Sequence, residues 1–346
     1  MFHPLVVDRV ERLTDDAVAV TFAVPDDLRD TYAFAAGQSL TLRRVVDGVE
    51  HRRSYSICAP VGAAPRIGVR EIPDGLFSRW LVREVAPGAT VEVLPPTGRW
   101  RAEPGGRHLC LAVGSGITPL LSIAGTALTG PDADVTLVYG NRTSASVMFA
   151  EEVADLKDRY GARFSVVHVL SREPRDVELF SGRLDADRLR RLLTTVAPVA
   201  GVDHVWVCGP FAMVVVAREV LAELGVPPER VHVELFHVDE PPPDLVRAEA
   251  VPTGETAEAT VVLDGRSTTA RVPRDVPLLD GLQATRADLP FACKGGVCGT
   301  CRALVRDGSV RMRRNYALEP AEVDAGYVLT CQAVPETERV LVDFDA

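Results

Sequence analysis

Apolar and polar positions change their rhythm twice along this chain. Over the first hundred residues, short apolar runs such as Val18–Phe22, Ser39–Leu42 and Thr90–Leu94 are separated by Gly, Pro and Asp. Runs of this length bounded by turn formers predict strands, and several of them with few helical stretches predict a small antiparallel β-barrel. The middle of the chain reads differently. Leu109–Val113, Asp134–Tyr139, Arg163–Leu170 and His204–Cys208 are near-continuous apolar runs, with helical patterns between them at Glu151–Tyr160 and Phe211–Leu224. Alternation of this kind predicts an α/β domain with a doubly wound parallel sheet. Residues 239–257 open Asp-Glu-Pro-Pro-Pro-Asp, and the proline triplet continues neither a helix nor a central strand, so they are expected to link two domains. Beyond them, Ala259–Leu263, Asp264-Gly265 and Ser267–Val272 predict a hairpin with a type I′ turn, followed by a helix over Leu278–Arg286. The expected division is 1–103, 104–238, a linker at 239–257, and 258–346.

Composition narrows the class. The 346 residues are 47% hydrophobic and 25% charged, as in ordinary folded protein, with a formal net charge of −10. An acidic chain is poorly suited to wrapping a phosphate backbone, so nucleic acid is not an expected partner. Residues 109–128 carry no charge, which approaches membrane-spanning length. Gly114, Gly116 and Pro119 interrupt the stretch, and a strand, a glycine turn and a helix account for it better. The first residues lack the charged segment and long apolar run of an export signal.

Four of the seven cysteines fall in the last 54 residues, spaced Cys293-x4-Cys298-x2-Cys301-x29-Cys331. In a chain without an export signal, such a cluster is expected to ligate metal in a reducing cytoplasm rather than form disulfides. A two-iron cluster needs four soft thiolates, and three from one tight loop with one from a distant segment is a workable supply. Gly295, Gly296 and Gly299 are expected to let the backbone approach closely. A structural zinc site is the alternative, but zinc usually takes paired two-residue spacings and only one such pair is present. The segment from residue 258 to 346 resembles a plant-type [2Fe–2S] ferredoxin, which implies a β-grasp α+β fold and ligation by Cys293, Cys298, Cys301 and Cys331.

Two further groups of motifs extend the resemblance. Gly37-Gln38, Arg53-Ser54-Tyr55-Ser56, Arg70, Gly75-Leu76-Phe77-Ser78 and Pro95-x-x-Gly98 together resemble the FAD domain of the ferredoxin–NADP reductase superfamily. The resemblance implies that Arg53 contacts the FAD diphosphate and Tyr55 stacks on the flavin ring. It places Ser56 near the flavin N5, with Ser54, Arg70, Gly75 and Ser78 completing the site. Gly114-Ser115-Gly116-Ile117-Thr118-Pro119, between a strand and a helix, resembles the same superfamily's nucleotide turn. Cys208-Gly209-Pro210 resembles its second nicotinamide segment, with Cys208 beside the nicotinamide; a small buried core residue is the other reading of this cysteine. Glu234-Leu235-Phe236 resembles the end of the reductase core, which implies an acid near the nicotinamide and an aromatic over the flavin. Arg142, Ser171 and Arg172 end strands where a ribose would lie. A hydroxyl with arginines suits a 2′-phosphate, and no acid is evident there, so NADPH is expected over NADH.

Ser56, Cys208 and Glu234 are thus the candidate catalytic residues. A nicotinamide gives up two electrons together as hydride and an iron–sulfur cluster accepts one at a time, so a flavin between them is the needed converter. The domain order resembles reductases of multicomponent oxygenases. Cys293-Lys294-Gly295-Gly296-Val297-Cys298, Asn315–Pro320 and Gly326–Cys331 are similar to the reductase subunits of phenylacetyl-CoA epoxidases, which implies a di-iron oxygenase partner. Reductases of Rieske-type oxygenases such as 3-ketosteroid 9α-hydroxylase, using NADH, share much of that segment and are the alternative. The run Arg311, Arg313, Arg314 is read as a solvated edge rather than a docking patch.

Overall fold

A computed structural model describes residues 1–73, 75–235, 254–318 and 320–346. The chain divides into two units, Phe2–Phe236 and His237–Ala346.

The first unit opens with β1 (His3–Thr14), β2 (Ala17–Ala23), β3 (Ser39–Val46), β4 (Val49–Ser56), β5 (Arg66–Arg70), helix α1 (Leu76–Arg83) and β6 (Thr90–Val93). These strands form one antiparallel sheet in the order β4-β3-β6-β1-β2-β5. An antiparallel bridge between Ile57 and Ile67 joins its two ends and closes the barrel. Asp47 and Gly48, at φ 51° and 76°, make the tight turn from β3 to β4. That turn fixes the register Val46↔Val49 and carries it to Ser39↔Ser56. Leu5, Val20, Phe22, Leu40, Leu42, Ile57 and Ile67 fill the interior.

The chain continues through β7 (Arg107–Val113), α2 (Ile117–Ala127), β8 (Asp134–Asn141), α3 (Ala150–Tyr160), β9 (Phe164–Leu170), α4 (Ala186–Thr195), β10 (His204–Gly209), α5 (Phe211–Glu223) and β11 (Val231–Leu235). All four strand pairings are parallel, in the order β11-β10-β7-β8-β9. The chain runs outward from β7 through β8 and β9, then returns to β10 on β7's other side. This places the topological switch, and hence the ligand crevice of such sheets, at the carboxyl ends of β7 and β10. Barrel and sheet share a core: Ala17, Ala19, Cys58 and Trp100 pack with Cys110, Ile117, Leu120 and Trp206. Cys58 and Cys110 belong to this packing, and burial pushes both thiols up to about 12. The uncharged stretch at 109–128 is β7, a glycine turn and α2. Among the described residues no helix is long and apolar enough to cross a membrane.

The second unit is a mixed sheet. Its elements are β12 (Thr256–Leu263), β13 (Arg266–Pro273), α6 (Leu278–Gln283), β14 (Arg302–Asp307), β15 (Val310–Met312), α7 (Pro320–Asp324), β16 (Tyr327–Leu329), β17 (Ala333–Pro335) and β18 (Arg339–Asp343). The main sheet is ordered β13-β12-β18-β14-β16, with β15 paired to β17. Asp264 and Gly265, at φ 53° and 67°, form the expected hairpin turn. β12 begins at Thr256, two residues inside the expected linker, and α6 ends three residues before the expected Arg286. Arg286 instead turns inward and donates to the carbonyls of Arg266 and Leu263, both at 2.8 Å.

Candidate flavin, nucleotide and iron–sulfur sites

β4 ends on the Arg53–Ser56 tetrapeptide, and strand alternation sends neighbouring side chains to opposite faces. Ser54 pairs with the Thr41 hydroxyl across the sheet at 2.9 Å. The Tyr55 ring lies 6.3 Å from the Phe77 ring, and burial raises its hydroxyl pKa. Arg53 is exposed, donating to the Arg52 carbonyl at 2.7 Å. Gly75 precedes α1, whose start has no side-chain cap. A Cβ at Gly75 would stand 2.4 Å from the Ser78 hydroxyl. That hydroxyl accepts from the Ile72 N–H at 3.1 Å and so shapes the turn. An aromatic face, an exposed guanidinium and uncapped helix amides are the donor set a flavin diphosphate requires.

Arg70 turns toward the parallel sheet. It donates to the Ser146 carbonyl at 2.5 Å and pairs with Asp16 at 3.3 Å. A Cβ at Gly114 would lie 3.2 Å from it. Arg70 therefore borders the nucleotide turn as well as the barrel.

At that turn Gly114 adopts φ +57°. A Cβ on Gly116 would fall 2.1 Å from the Cys208 carbonyl oxygen, so only glycine lets the two strand ends meet. Thr118 donates to the Ser115 carbonyl at 3.0 Å, and Pro119 lies in the first turn of α2, where its missing N–H costs nothing. Gly209 follows Cys208, and a Cβ there would meet Met213 at 2.5 Å. The result is a crevice edge lined by backbone, a shape that accepts a pyrophosphate.

Ser56, Cys208 and Glu234 come together at this crevice. The Ser56 hydroxyl donates to Glu234 at 3.5 Å. Cys208 and Glu234 are register partners on β10 and β11. Burial, against weaker help from Ser56 and Arg99, pushes the Glu234 carboxyl up to about 7. Burial and the neighbouring Glu234 hold the Cys208 thiol protonated. Phe236 lies outside the described residues.

Arg142, Ser171 and Arg172 are exposed just beyond β8 and β9. The Ser171 N–H donates to the Asn141 carbonyl, and the Arg172 N–H to the Arg142 carbonyl, each at 2.8 Å. Sequence reasoning passed over Glu173 beside them. Its carboxylate accepts from the Ser144 N–H at 2.8 Å and hydroxyl at 2.9 Å, which lowers its pKa. An acid does stand at this edge, and its position directly after Arg172 was the available signal.

In the second unit Cys293, Cys298 and Cys301 lie on the loop between α6 and β14, and Cys331 lies between β16 and β17. Cys293 and Cys298 interact as one pair, Cys301 and Cys331 as another. The Cys298 thiol, then the N–H groups of Val297, Cys298 and Gly295, favour a Cys293 thiolate. Its partner Cys298 is driven the other way, as is Cys301 beside Cys331. A cation bound there would displace the thiol protons. Among the described residues no three His, Cys, Asp or Glu side chains converge on one ion position. Cys298 also acts on Cys301, so the two thiol pairs adjoin, a supply that suits two irons. Gly296 and Gly299 have φ +79° and +69°, but Gly295 does not; the other left-handed residue of the loop is Lys294, at +52°. Gly295 contributes its N–H, 3.3 Å from the Cys293 sulfur. Arg313 donates to the Asp275 carbonyl, and Arg311 pairs with Glu336 at 3.7 Å, so the basic run is tied to its own edge.

Fold and sites define a flavin- and pyridine-nucleotide-dependent oxidoreductase that carries its own iron–sulfur domain. The models of three families match: an oxidoreductase FAD-binding domain over residues 4–102, an oxidoreductase NAD-binding domain over 110–219, and a 2Fe-2S iron-sulfur cluster binding domain over 261–336. Among curated proteins, one of the subunits of the Escherichia coli 1,2-phenylacetyl-CoA epoxidase is 43% identical over 100% of this chain and 98% of its own length. The ferredoxin reductase component of 3-ketosteroid-9-alpha-monooxygenase from Rhodococcus rhodochrous is 36% identical over 98% and 96%. In architecture the chain is similar to phthalate dioxygenase reductase, with a TM-score of 0.62, 21% identity and coverage of 99% and 98%. The chain belongs to the family of FAD- and NAD-binding reductases with a C-terminal [2Fe–2S] domain, the family that includes this 1,2-phenylacetyl-CoA epoxidase component.

Proposed function

We propose that this protein is the reductase component of a multicomponent oxygenase, drawing electrons from NADPH, and that its partner is a di-iron phenylacetyl-CoA epoxidase. The carrying observation is the 43% identity, across the whole chain, to a component of such an epoxidase. When bound, the flavin accepts hydride and releases single electrons to the cluster. Arg53, Ser54, Tyr55, Gly75 and Ser78 hold and orient the flavin; Arg70, Gly114, Gly116, Thr118, Pro119 and Gly209 shape the crevice for the nucleotide. Arg142, Ser171 and Arg172 receive the 2′-phosphate. Ser56, Cys208 and Glu234 line the place where nicotinamide and flavin would meet, with Glu234 able to carry a proton near pH 7. Cys293, Cys298, Cys301 and Cys331 ligate the cluster. Residues 1–103, 104–238 and 258–346 are the flavin, nucleotide and ferredoxin domains. Reduced, unpaired thiols in the ligand loop fit a cytoplasmic setting.

Reconstitution tests the reading. The protein with the purified epoxidase components and NADPH is expected to support oxygen-dependent turnover of the aromatic thioester. A second reading, service to a Rieske-type ketosteroid oxygenase with NADH, draws on the 36% relative and on Glu173 at the ribose edge. Turnover with that oxygenase, and none with the epoxidase, would replace the first reading with the second.

A further inference from the structure

The residue after the fourth cysteine, Gln332, is only 3% exposed. Its backbone is fixed on both sides: its N–H donates to the Leu329 carbonyl at 2.8 Å, and its carbonyl accepts from the Arg313 N–H at 2.9 Å. Its side chain lies against the cysteine loop, where its Cγ is 3.1 Å from the position a Cβ would take on Gly296. The amide nitrogen donates to the Lys294 carbonyl at 2.8 Å and stands 3.7 Å from the Cys331 sulfur. A carbonyl only accepts, so the nitrogen and not the oxygen of this amide must face Lys294. That leaves the second amide proton for the sulfur. Lys294 is held from its other end, its ammonium pairing with Asp280 at 2.7 Å and accepted by Gln283 at 2.9 Å.

We propose that Gln332 is a positioning residue for the iron–sulfur site: one amide proton ties Cys331 to the loop that carries the other three cysteines, and the other donates to the Cys331 sulfur. A donor at a ligating sulfur stabilises the more negatively charged, reduced state of a cluster and so raises its reduction potential. The inference rests on the reading of the four cysteines as ligands. That reading is tested separately, by the iron content of the unmodified full-length protein.

The variant Gln332→Met keeps the bulk and removes both donors. Full-length protein, titrated anaerobically and followed by the cluster's electron paramagnetic resonance signal, is expected to keep two irons per chain. At the potential where the unmodified cluster is half reduced, the ratio of reduced to oxidised variant cluster is expected to fall about tenfold, equivalent to about 59 mV for one electron. The flavin couple, measured in the same titration, stays in place. A filled cluster with an unmoved potential overturns the proposal, since packing alone would leave the potential where it was. If the variant loads fewer than two irons, the unmodified protein decides. With glutamine labelled at its side-chain nitrogen, pulsed resonance of the reduced cluster is expected to detect the amide nitrogen, and absence of that coupling overturns the proposal.

Discussion

Ser56 and Glu234 touch across 178 positions of sequence, whereas three of the four candidate cluster ligands lie within nine. The first unit assembles its site from the ends of strands belonging to a barrel and a sheet. The second writes most of its site into one loop. A distributed site survives only if the scaffold holds its pieces in register, so its weak points are places where backbones press together. A local site depends on the conformation of a short segment and on the chemistry of its ligands. The two units should therefore fail in different ways when altered.

The largest effect is expected from Cys298→Ser. The loop's second pair partner is removed, iron binding is lost, and NADPH-driven reduction of a one-electron acceptor such as cytochrome c is abolished. Reduction of ferricyanide, which the flavin unit can serve alone, is retained. Loss of both activities together would mean that the cysteine loop also supports the flavin unit. Next is Gly116→Ala, which places a methyl 2.1 Å from the Cys208 carbonyl, backbone against backbone. The cost is about 3 kcal/mol, with Tm lowered by roughly 6–12 °C. Here ferricyanide reduction falls because nucleotide binding is lost, while iron content stays at its normal level.

Legibility in the sequence followed the same division. The cysteine spacing and the Asp264-Gly265 turn are local signals, and both are found where local chemistry puts them. The equivalent Asp47-Gly48 pair was equally readable yet passed over, because β4 is rich in charged residues and lacks an apolar run. The longest strand, β1, was hidden for a related reason: Asp8, Arg9, Glu11 and Arg12 interrupt its apolar positions, and two register shifts break the alternation. Register is a tertiary property, so no spacing announces that Ser56 meets Glu234; only family resemblance pointed there. Glu173 was readable in its place directly after Arg172, whereas Gln332 was missed because one amide carries no pattern until its neighbours are placed.

Glu234 gives a sharper test of the distributed site. Its carboxyl is raised from an ordinary 4.5 to about 7, chiefly by burial. A raised acid favours the folded state while protonated, so its contribution is complete below about pH 4.5 and is lost as pH rises to about 7. Glu234→Gln stays neutral throughout. The variant is therefore expected to gain on the unmodified protein across that window, by on the order of 2 kcal/mol, in melting curves taken at pH 4.5, 6 and 8. Parallel curves would mean that water reaches the carboxylate in the folded protein.

The smallest effect belongs to the most exposed part of the distributed site. Arg142 and Arg172 stand beside one another beyond β8 and β9, and Glu173, although adjacent in sequence, is already committed to Ser144. An acid so engaged is a poor competitor for a ribose hydroxyl, whereas two exposed arginines on neighbouring strand ends supply the charge a 2′-phosphate would need. Each charge-assisted contact at an exposed position is worth about 1.4 kcal/mol, or about tenfold. Arg172→Ala should accordingly lower kcat/KM for NADPH about tenfold and leave NADH nearly unchanged, the effect appearing in KM. The opposite change, Glu173→Ala, should leave the NADPH value in place if the carboxylate serves only Ser144. A fall in NADH use on that substitution would assign Glu173 to the ribose and reverse the preference read from the arginines.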